Sequence, residues 1–469
     1  MNRKKLDGVK HMIRSIEGVF EIAILALSYY LVWRHIYDEG VFPAYYGYGK
    51  YVLAGVYALL TLVLFQNFDG FKFGYMKLTD VIISQCIAMV LGNFITFWQL
   101  CLIANQMISP VPILLLTLID TAVIFACCYV YTVIYHHLYV PKNMVMVYGT
   151  EDALTLKFKM DTRMDKYRVN KLIPAEAGLE TICKTIVDYD AVIIVDVRAE
   201  LRNDILKFCY QNGIRTYLSP KITDIIMRGA TKITLFDTPL MLIRSKGLTL
   251  SQRTFKRLFD ILLSLLAMIV ALPIMLITAL AIKIEDGGPV FYKQKRVTIN
   301  GKIFEILKFR SMIVDAEKDG NTRPAVDRDP RITRVGNVIR AIRVDELPQI
   351  LNILKGDMSI VGPRPERVEN VQEYTKDFPE FAFRLKVKGG LTGYAQIYGK
   401  YNTSAYDKLR LDMEYIENYS LMLDIKLVLT TLRILMSKES TEGFDKREEL
   451  ERRKKELLEK ETAGSGREE

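Results

Sequence analysis

The sequence predicts a membrane protein of mixed class: a bundle of four transmembrane helices, then a parallel α/β domain, then a second α/β domain held to the bilayer by one re-entrant helix. Three observations predict it. Four apolar segments, each near the roughly 20 residues that cross a bilayer as a helix, fill the first 140 positions. Strand-like and helix-like patterns alternate between residues 143 and 245. A fifth apolar run, Ile261–Ile284, is broken by Pro273 and has basic residues on both flanks.

At 469 residues the chain exceeds one ordinary core, so about two to four units are expected. Half of it is apolar and the mean hydropathy is +0.13, both high for a soluble enzyme. The formal charge of +10 suits nucleic acid or an anionic membrane surface, and the apolar runs favour the membrane over nucleic acid. Four of the six cysteines (Cys86, Cys101, Cys127 and Cys128) lie inside apolar segments, and no C-x-x-C occurs. That argues against a disulfide framework or a zinc site. His136 and His137 read as an interfacial pair at the end of an apolar helix.

The bundle spans residues 1–140, with segments at Ile13–Trp33, Tyr51–Phe68, Val81–Ile103 and Val111–Tyr135. Lysine and arginine precede the first, lie between the second and third (Lys72, Lys77) and follow the fourth (Lys142). The positive-inside rule then places both ends of the bundle in the cytoplasm. Tyr29, Trp33, Tyr45, Tyr46, Tyr48, Trp98 and Tyr139 fit aromatic belts. Glu17 and Glu21 in the first segment must face other helices or lie near the interface. Acidic residues at the start of this segment, with no small-residue pattern after it, argue against a cleaved signal peptide.

Residues 141–245 read as a Rossmann-like domain. Met144–Tyr148, Ala191–Asp196 and Ile214–Leu218 are the expected strands, and Leu179–Asp188 and Leu201–Gln211 the helices. Gly149 stands alone where a dinucleotide site would carry G-x-G-x-x-G. Tyr167 and Lys171 have the Y-x-x-x-K spacing of short-chain reductases, which without that fingerprint reads as chance.

The last domain is expected at 250–437, with the re-entrant segment at 257–284. Arg253, Lys256 and Arg257 precede the apolar run; Lys283, Lys293, Lys295 and Arg296 follow it. Both ends are therefore expected in the cytoplasm, as a hairpin turning at Pro273; an ordinary fifth span is the competing reading. Short strands at Val290–Tyr292 and Ile303–Lys308 and an amphipathic helix at Glu414–Met436 are expected. The charge-dense tail, 438–469, reads as a solvated helix fraying into a disordered end.

The chemistry concentrates between Arg340 and Glu366. Asp345 and Glu346 stand side by side among arginines, just before the rigid loop Gly362-Pro363-Arg364-Pro365. Carboxylates hold Mg²⁺ against a phosphate, guanidinium forks match phosphate oxygens, and an aspartate can carry a transferred phosphoryl group. A surface salt-bridge cluster is the bland alternative. Lys308 and Arg310 end a strand upstream, and Arg328, Arg331 and Arg334 precede the helix of Arg340. If that helix ends near Arg343, Arg340 and Asp345 can meet one phosphate, with a new helix opening at Leu347 or Pro348. The Gly362–Pro365 loop suits a nucleotide diphosphate.

Seven motifs are collinear over about 140 residues: Lys256-Arg257…Asp260, Gly288–Arg296, Lys308–Met312, Asp329–Thr333, Asp345–Gln349, Gly356–Pro365 and Leu391–Gln396. In them the chain resembles the bacterial polyprenyl-phosphate hexose-1-phosphate transferases, the monotopic phosphoglycosyl transferases that start exopolysaccharide, capsule and O-antigen synthesis. The bundle and the α/β unit match the larger architecture of that family. The resemblance implies that a UDP-sugar gives its sugar-1-phosphate to undecaprenyl phosphate at the cytoplasmic face of a bacterial inner membrane. It implies Asp345 as nucleophile, forming a phosphosugar–aspartate intermediate. Glu346 takes the Mg²⁺ position, with Asp345 beside it as a second ligand, and Arg340 binds phosphate. Lys308, Arg310 and Arg364 are further candidates for the substrate phosphates. Gly390 stands where a proline usually precedes Leu/Ile-Thr-Gly, Thr298 where a glycine usually follows Gln-x-Arg-Val, and Asp286 in place of a frequent serine. A membrane-bound nucleotide-sugar dehydratase and a non-catalytic scaffold are the rival readings. A homodimer through the α/β unit or the bundle stays open.

Overall fold

The computed structural model describes residues 3–37, 48–73, 76, 78–138, 141–150, 153–161, 163–164, 166–243, 247–314, 316, 329–399 and 403–436. Tyr45, Tyr46, Lys77, Tyr139, Arg328 and the 438–469 tail, and the side chains of His136 and His137, lie outside what it describes. The chain divides into two compact units, Met1–Lys142 with Arg163–Arg168, and Asn143–Thr162 with Val169–Glu469.

The first unit holds α1 (Arg3–Val32), α2 (Gly49–Asn67), α3 (Leu78–Ala104) and α4 (Val111–Leu138). All four are long and apolar enough to cross a membrane. Apolar side chains such as Val52, Leu59, Leu102 and Leu118 face outward, while polar ones turn in. Buried Asp120 of α4 accepts hydrogen bonds from Ser28 of α1 (2.7 Å), Tyr57 of α2 (2.8 Å) and Asn93 of α3 (3.1 Å). Glu21 is fully buried and accepts from Gln85 of α3 at 3.0 Å, so it faces a neighbouring helix as its sequence position requires.

The second unit opens with β1 (Lys142–Tyr148), α5 (Ala153–Asp161), β2 (Tyr167–Pro174), α6 (Leu179–Ile186), β3 (Ala191–Val195), α7 (Ala199–Asn212) and β4 (Arg215–Leu218). The sheet order is β2-β1-β3-β4, with β1–β3 and β3–β4 parallel. Val145, Val147, Val192 and Ile194 share one face of the central strands and bury it against Ile182, Ile186 and Ile205 of the helices; Met144, Met146 and Ile193 are buried on the other. Tyr167 and Lys171 lie on β2. Four residues of strand span about 13 Å, against about 6 Å on a helix, so they do not form a reductase-type pair.

After α8 (Ile222–Arg228) and the antiparallel ribbon β5 (Thr231–Leu235) and β6 (Thr238–Leu242) comes α9, Leu250–Asp286. Thr249 caps it by accepting from the Gln252 amide, and Gly287, at φ +70°, ends it. The expected hairpin is not two helices joined by a turn: α9 is one continuous 37-residue helix with Pro273 inside. Lys256, Asp260, Ser264, Ala271, Met275, Thr278 and Ile282 form its buried stripe, while leucines and isoleucines such as Leu262, Ile269, Ile277 and Leu280 stand exposed. That stripe is fastened at both ends to one module. Lys256 pairs with Asp424 at 2.6 Å, and Arg257 donates to the carbonyls of Ile353 and Leu354 at 2.6 and 2.7 Å. Asp260 accepts from the Ile360 amide at 3.0 Å, and Glu285 from the Arg334 amide at 2.7 Å.

The module itself comprises β7 (Phe291–Val297), β8 (Ile303–Phe309), α10 (Arg334–Ala341), α11 (Gln349–Lys355), β9 (Ser359–Val361), α12 (Val368–Asp377), β10 (Gly390–Thr392), α13 (Tyr394–Tyr398), α14 (Ala405–Glu417) and α15 (Leu421–Met436). β7 and β8 are antiparallel, β9 and β10 parallel. Phe304, Ile353, Val361, Phe381, Met413 and Leu427 share its core. The helix expected at Glu414–Met436 is two helices: Ser420 accepts from the Leu423 amide at 3.1 Å and starts α15 afresh.

Candidate active site

Asp345 and Glu346 sit in a one-turn 3₁₀ helix, Val344–Glu346, between α10 and α11. Arg343 precedes it at φ +58°, a left-handed conformation that ends α10 where the sequence suggests. The dyad does not open α11, which starts at Gln349. Asn352 stitches α11 to β8: its side chain donates to the Glu305 carbonyl at 2.8 Å and accepts from the Leu307 amide at 2.9 Å. That fixes Lys308, the next residue of β8, opposite the dyad.

Lys308 Nζ lies 2.7 Å and Arg364 Nη2 3.2 Å from Glu346 Oε1. Burial alone raises the Glu346 pKa, but Arg364 and Lys308 override it and hold the carboxyl well below the usual range. Burial lowers the Lys308 pKa despite Glu346, and Glu346 raises that of Arg364. Asp345 behaves oppositely. Burial and then Glu346 raise its pKa, against Lys308, Arg340 and Arg343. Its Oδ1 is buried and accepts no hydrogen bond. One carboxylate is thus firmly ionised and clamped; its neighbour is held with an open oxygen.

Of the expected site residues, Lys308, Arg364, Asp345 and Glu346 meet, and Arg340, at the last turn of α10, acts on Asp345 through its charge. Arg310 does not join them. Its guanidinium pairs with Asp286 at the end of α9 and lies over Gly288, where a Cβ would come within 2.5 Å of Nη1. Arg331 is bonded to Asp329 at 2.7 Å. Gly362 donates to the Thr392 carbonyl at 2.8 Å, and a Cβ on it would lie 2.4 Å from the Lys388 carbonyl oxygen, so only glycine lets β9 and β10 approach here. Pro363 and Pro365 flank Arg364 in the same loop. Sequence reasoning gave Arg343 no role, although its charge acts on both carboxylates; its place three residues after Arg340 is the signal that could have found it. Arg296, which donates to the Pro365 carbonyl, stood out in the sequence only as a basic flank and the end of the Gly288–Arg296 motif; Arg384 and Asp412 carried no local signal.

Among the described residues no three His, Cys, Asp or Glu side chains gather as a metal cage. Asp345 and Glu346 nevertheless fit Mg²⁺, which is commonly held by one or two carboxylates while substrate phosphates complete its shell. The open oxygen of Asp345 is the observation that agrees with this.

Residues 251–438 match the bacterial sugar transferase family. The chain is 44% identical over 185 residues to a UDP-N-acetylgalactosamine-undecaprenyl-phosphate N-acetylgalactosaminephosphotransferase of Aeromonas hydrophila, covering 39% of this chain and 44% of that protein. It is 40% identical over 211 residues to a UDP-glucose:undecaprenyl-phosphate glucose-1-phosphate transferase of Escherichia coli (strain K12), 44% of each. A protein of that same name from Caulobacter vibrioides is 40% identical over 188 residues, 39% of this chain and 70% of the relative. The chain spans less than half the length of the first two relatives.

Proposed function

The chain belongs to the bacterial sugar transferase family, and from that premise we propose that it transfers a sugar-1-phosphate from a UDP-sugar to undecaprenyl phosphate, releasing UMP. The observation that carries the reading is the unequal dyad: Glu346 clamped by Lys308 and Arg364, Asp345 beside it with an unpartnered buried oxygen. Asp345 attacks the β-phosphorus of the donor. The bond from that phosphorus to the bridging oxygen breaks, and UMP leaves with the oxygen. A phosphate oxygen of undecaprenyl phosphate then attacks the same phosphorus and frees the Asp345 carboxylate. Burial suits Asp345 to this role, because a poorly solvated carboxylate is a readier nucleophile. Lys308, Arg340 and Arg364 bring positive charge to the diphosphate, so that an anion can approach it. Mg²⁺ held by Asp345 and Glu346 would supply further neutralisation of the phosphate oxygens.

The product is undecaprenyl-diphosphate-sugar, the first membrane step of exopolysaccharide, capsule or O-antigen synthesis. Re-entrance of α9 is supported by its two fastened ends, since a helix crossing the bilayer would carry them to opposite sides. Its exposed apolar face then lies in one leaflet of the inner membrane, with the module on the cytoplasmic face. The donor sugar is set by a few pocket contacts.

The test is UMP release by the detergent-purified protein from a panel of UDP-sugars, with undecaprenyl phosphate and Mg²⁺, wild type beside Asp345→Asn. Acceptor-dependent UMP from one sugar, absent in the variant, establishes the reaction and names the donor. A folded protein that releases UMP from none of them sinks it.

A further inference from the structure

The Arg364 loop has four consecutive carbonyls, each held by a different donor. Pro363 accepts from the Gly390 amide at 2.9 Å, and Glu366 from the Val297 amide at 3.0 Å. Between them, Arg364 accepts from Arg384 Nη2 at 2.8 Å, and Pro365 from Arg296 Nη1 at 3.1 Å. The two middle donors are guanidinium groups from distant parts of the chain, and both are largely buried. What the loop presents is the Arg364 side chain, 41% exposed, reaching Glu346.

Arg384 shows the more telling geometry. It is 3% exposed, stacks on the Phe381 ring at 4.8 Å and lies 2.8 Å from Asp412 Oδ2. Yet neither Asp412 oxygen receives an aligned hydrogen bond. The same nitrogen, which carries two hydrogens, donates one of them to the Arg364 carbonyl. Asp412 balances the charge; the backbone of Arg364 takes the directed bond.

We propose that Arg384, with Asp412 as its counter-ion, is a positioning residue that sets the Arg364 loop so that the Arg364 guanidinium meets Glu346 and the substrate phosphate. It touches neither member of the dyad and acts through the loop, where its Nη1 also lies 3.8 Å from Glu366 Oε1. The catalytic part of this proposal rests on the transferase reading. A purely structural role is the competing explanation: a buried ion pair that only helps the core to fold. The two separate because a buried pair replaced on both sides by apolar residues often leaves stability unchanged, whereas a displaced phosphate ligand slows the reaction.

The experiment compares wild type with Arg384→Met/Asp412→Leu and with Arg384→Lys. Four quantities are measured: the unfolding midpoint, hydrogen exchange of the peptide covering 361–368, and kcat and KM for UMP release. The expected result is an unchanged midpoint, faster exchange confined to that peptide and a kcat lower by about ten- to hundredfold, the scale of loss for a slightly displaced group. Arg384→Lys keeps the charge opposite Asp412 but lacks the planar fork; it gives an intermediate kcat, and it serves as the folded variant if the double one does not fold. Unchanged exchange overturns the proposal. Faster exchange with kcat and KM intact in an active enzyme also overturns it. A wild type that releases no UMP from any donor sinks the transferase reading instead, and exchange alone then decides whether Arg384 holds the loop.

Discussion

Thr298 accepts the amide hydrogen of Gly389 at 3.0 Å, and its hydroxyl donates to the Asp357 carbonyl at 3.2 Å. Thr298 is 2% exposed, so both bonds are cut off from water. The departures from the family pattern thereby acquire partners. The threonine serves the glycine just before Gly390, and Gly390 itself donates to Pro363 at 2.9 Å, which a proline could not do. Asp286, the third departure, pairs with Arg310 and accepts from the Gly288 amide at 3.1 Å.

Thr298→Val keeps the shape and removes the hydroxyl, leaving the Gly389 N–H and the Asp357 carbonyl without it. The expected cost is about 1–3 kcal/mol, read from chemical unfolding in detergent. Thr298→Ser keeps the hydroxyl and is expected to stay close to wild type. Equal stability of the valine and serine variants would show that the bond contributes nothing.

The dyad sets a pH dependence whose sign can be worked out. In the proposed reaction attack needs Asp345 ionised, and burial raises its pKa above the ordinary 3.8. Turnover therefore falls on the acid side at a higher pH than an exposed aspartate would give. Lys308 opposes that rise, so Lys308→Met lowers kcat and moves the acid limb further up in pH. A pH profile of kcat that does not move in this variant would count against Lys308 acting on Asp345.

Glu346 has the opposite linkage. Its folded pKa lies below the unfolded 4.5, so the ionised form stabilises the fold fully above about that value, and the contribution fades as pH falls through the lower folded pKa. Glu346→Gln, which leaves Lys308 and Arg364 without a carboxylate, is expected to cost about 2 kcal/mol near neutrality. The difference from wild type shrinks below pH 4.5. A penalty that stays constant from neutral to acid pH would show that the ion pairs are not its source.

What was legible in the sequence was what is local. Apolar length marked α1–α4, and strand-like runs marked β1 and β3, which are buried, and β4, which lies at an exposed sheet edge. The Asp345-Glu346 pair, Lys308 and Arg364 stood out because charged residues beside Gly and Pro are conspicuous. β2 was missed, because only Val169 and Ile173 of Tyr167–Pro174 are buried, and charged or polar residues between them hide the strand pattern. The break at Ser420 was missed, because apolar residues continue across it and only a capping bond interrupts the helix. Arg310 was placed with the phosphate ligands because it follows Lys308 by two. The strand that aims Lys308 at Glu346 ends at Phe309, and past its end Arg310 turns to Asp286. The grip of Arg384 on Arg364 joins residues 20 apart through tertiary structure, which no periodicity encodes.

The path of α9 is tested by labelling. Single cysteines at Ser251 and Gly287 bracket the helix. Re-entrance predicts that an impermeant thiol reagent reaches both from the cytoplasmic face and neither from the other. Labelling from opposite faces would mean that the 37-residue helix crosses the bilayer despite Pro273.

Asp120 supplies a test of the bundle that is independent of the transferase chemistry. Three hydrogen bonds converge on it from α1, α2 and α3, so one carboxyl ties all four helices together. Hydrogen bonds between membrane helices average about 0.6 kcal/mol each. Tyr57→Phe should therefore cost about that much. Asp120→Leu removes all three and leaves Ser28, Tyr57 and Asn93 without this acceptor, for a loss of about 2 kcal/mol. The dyad belongs to the other unit, so turnover per folded molecule is expected to stay at the wild-type value. Unfolding in detergent and UMP release, measured on the same preparations, separate the two effects. Loss of turnover in a stably folded Asp120→Leu protein would mean that the bundle takes part in the reaction rather than only anchoring it.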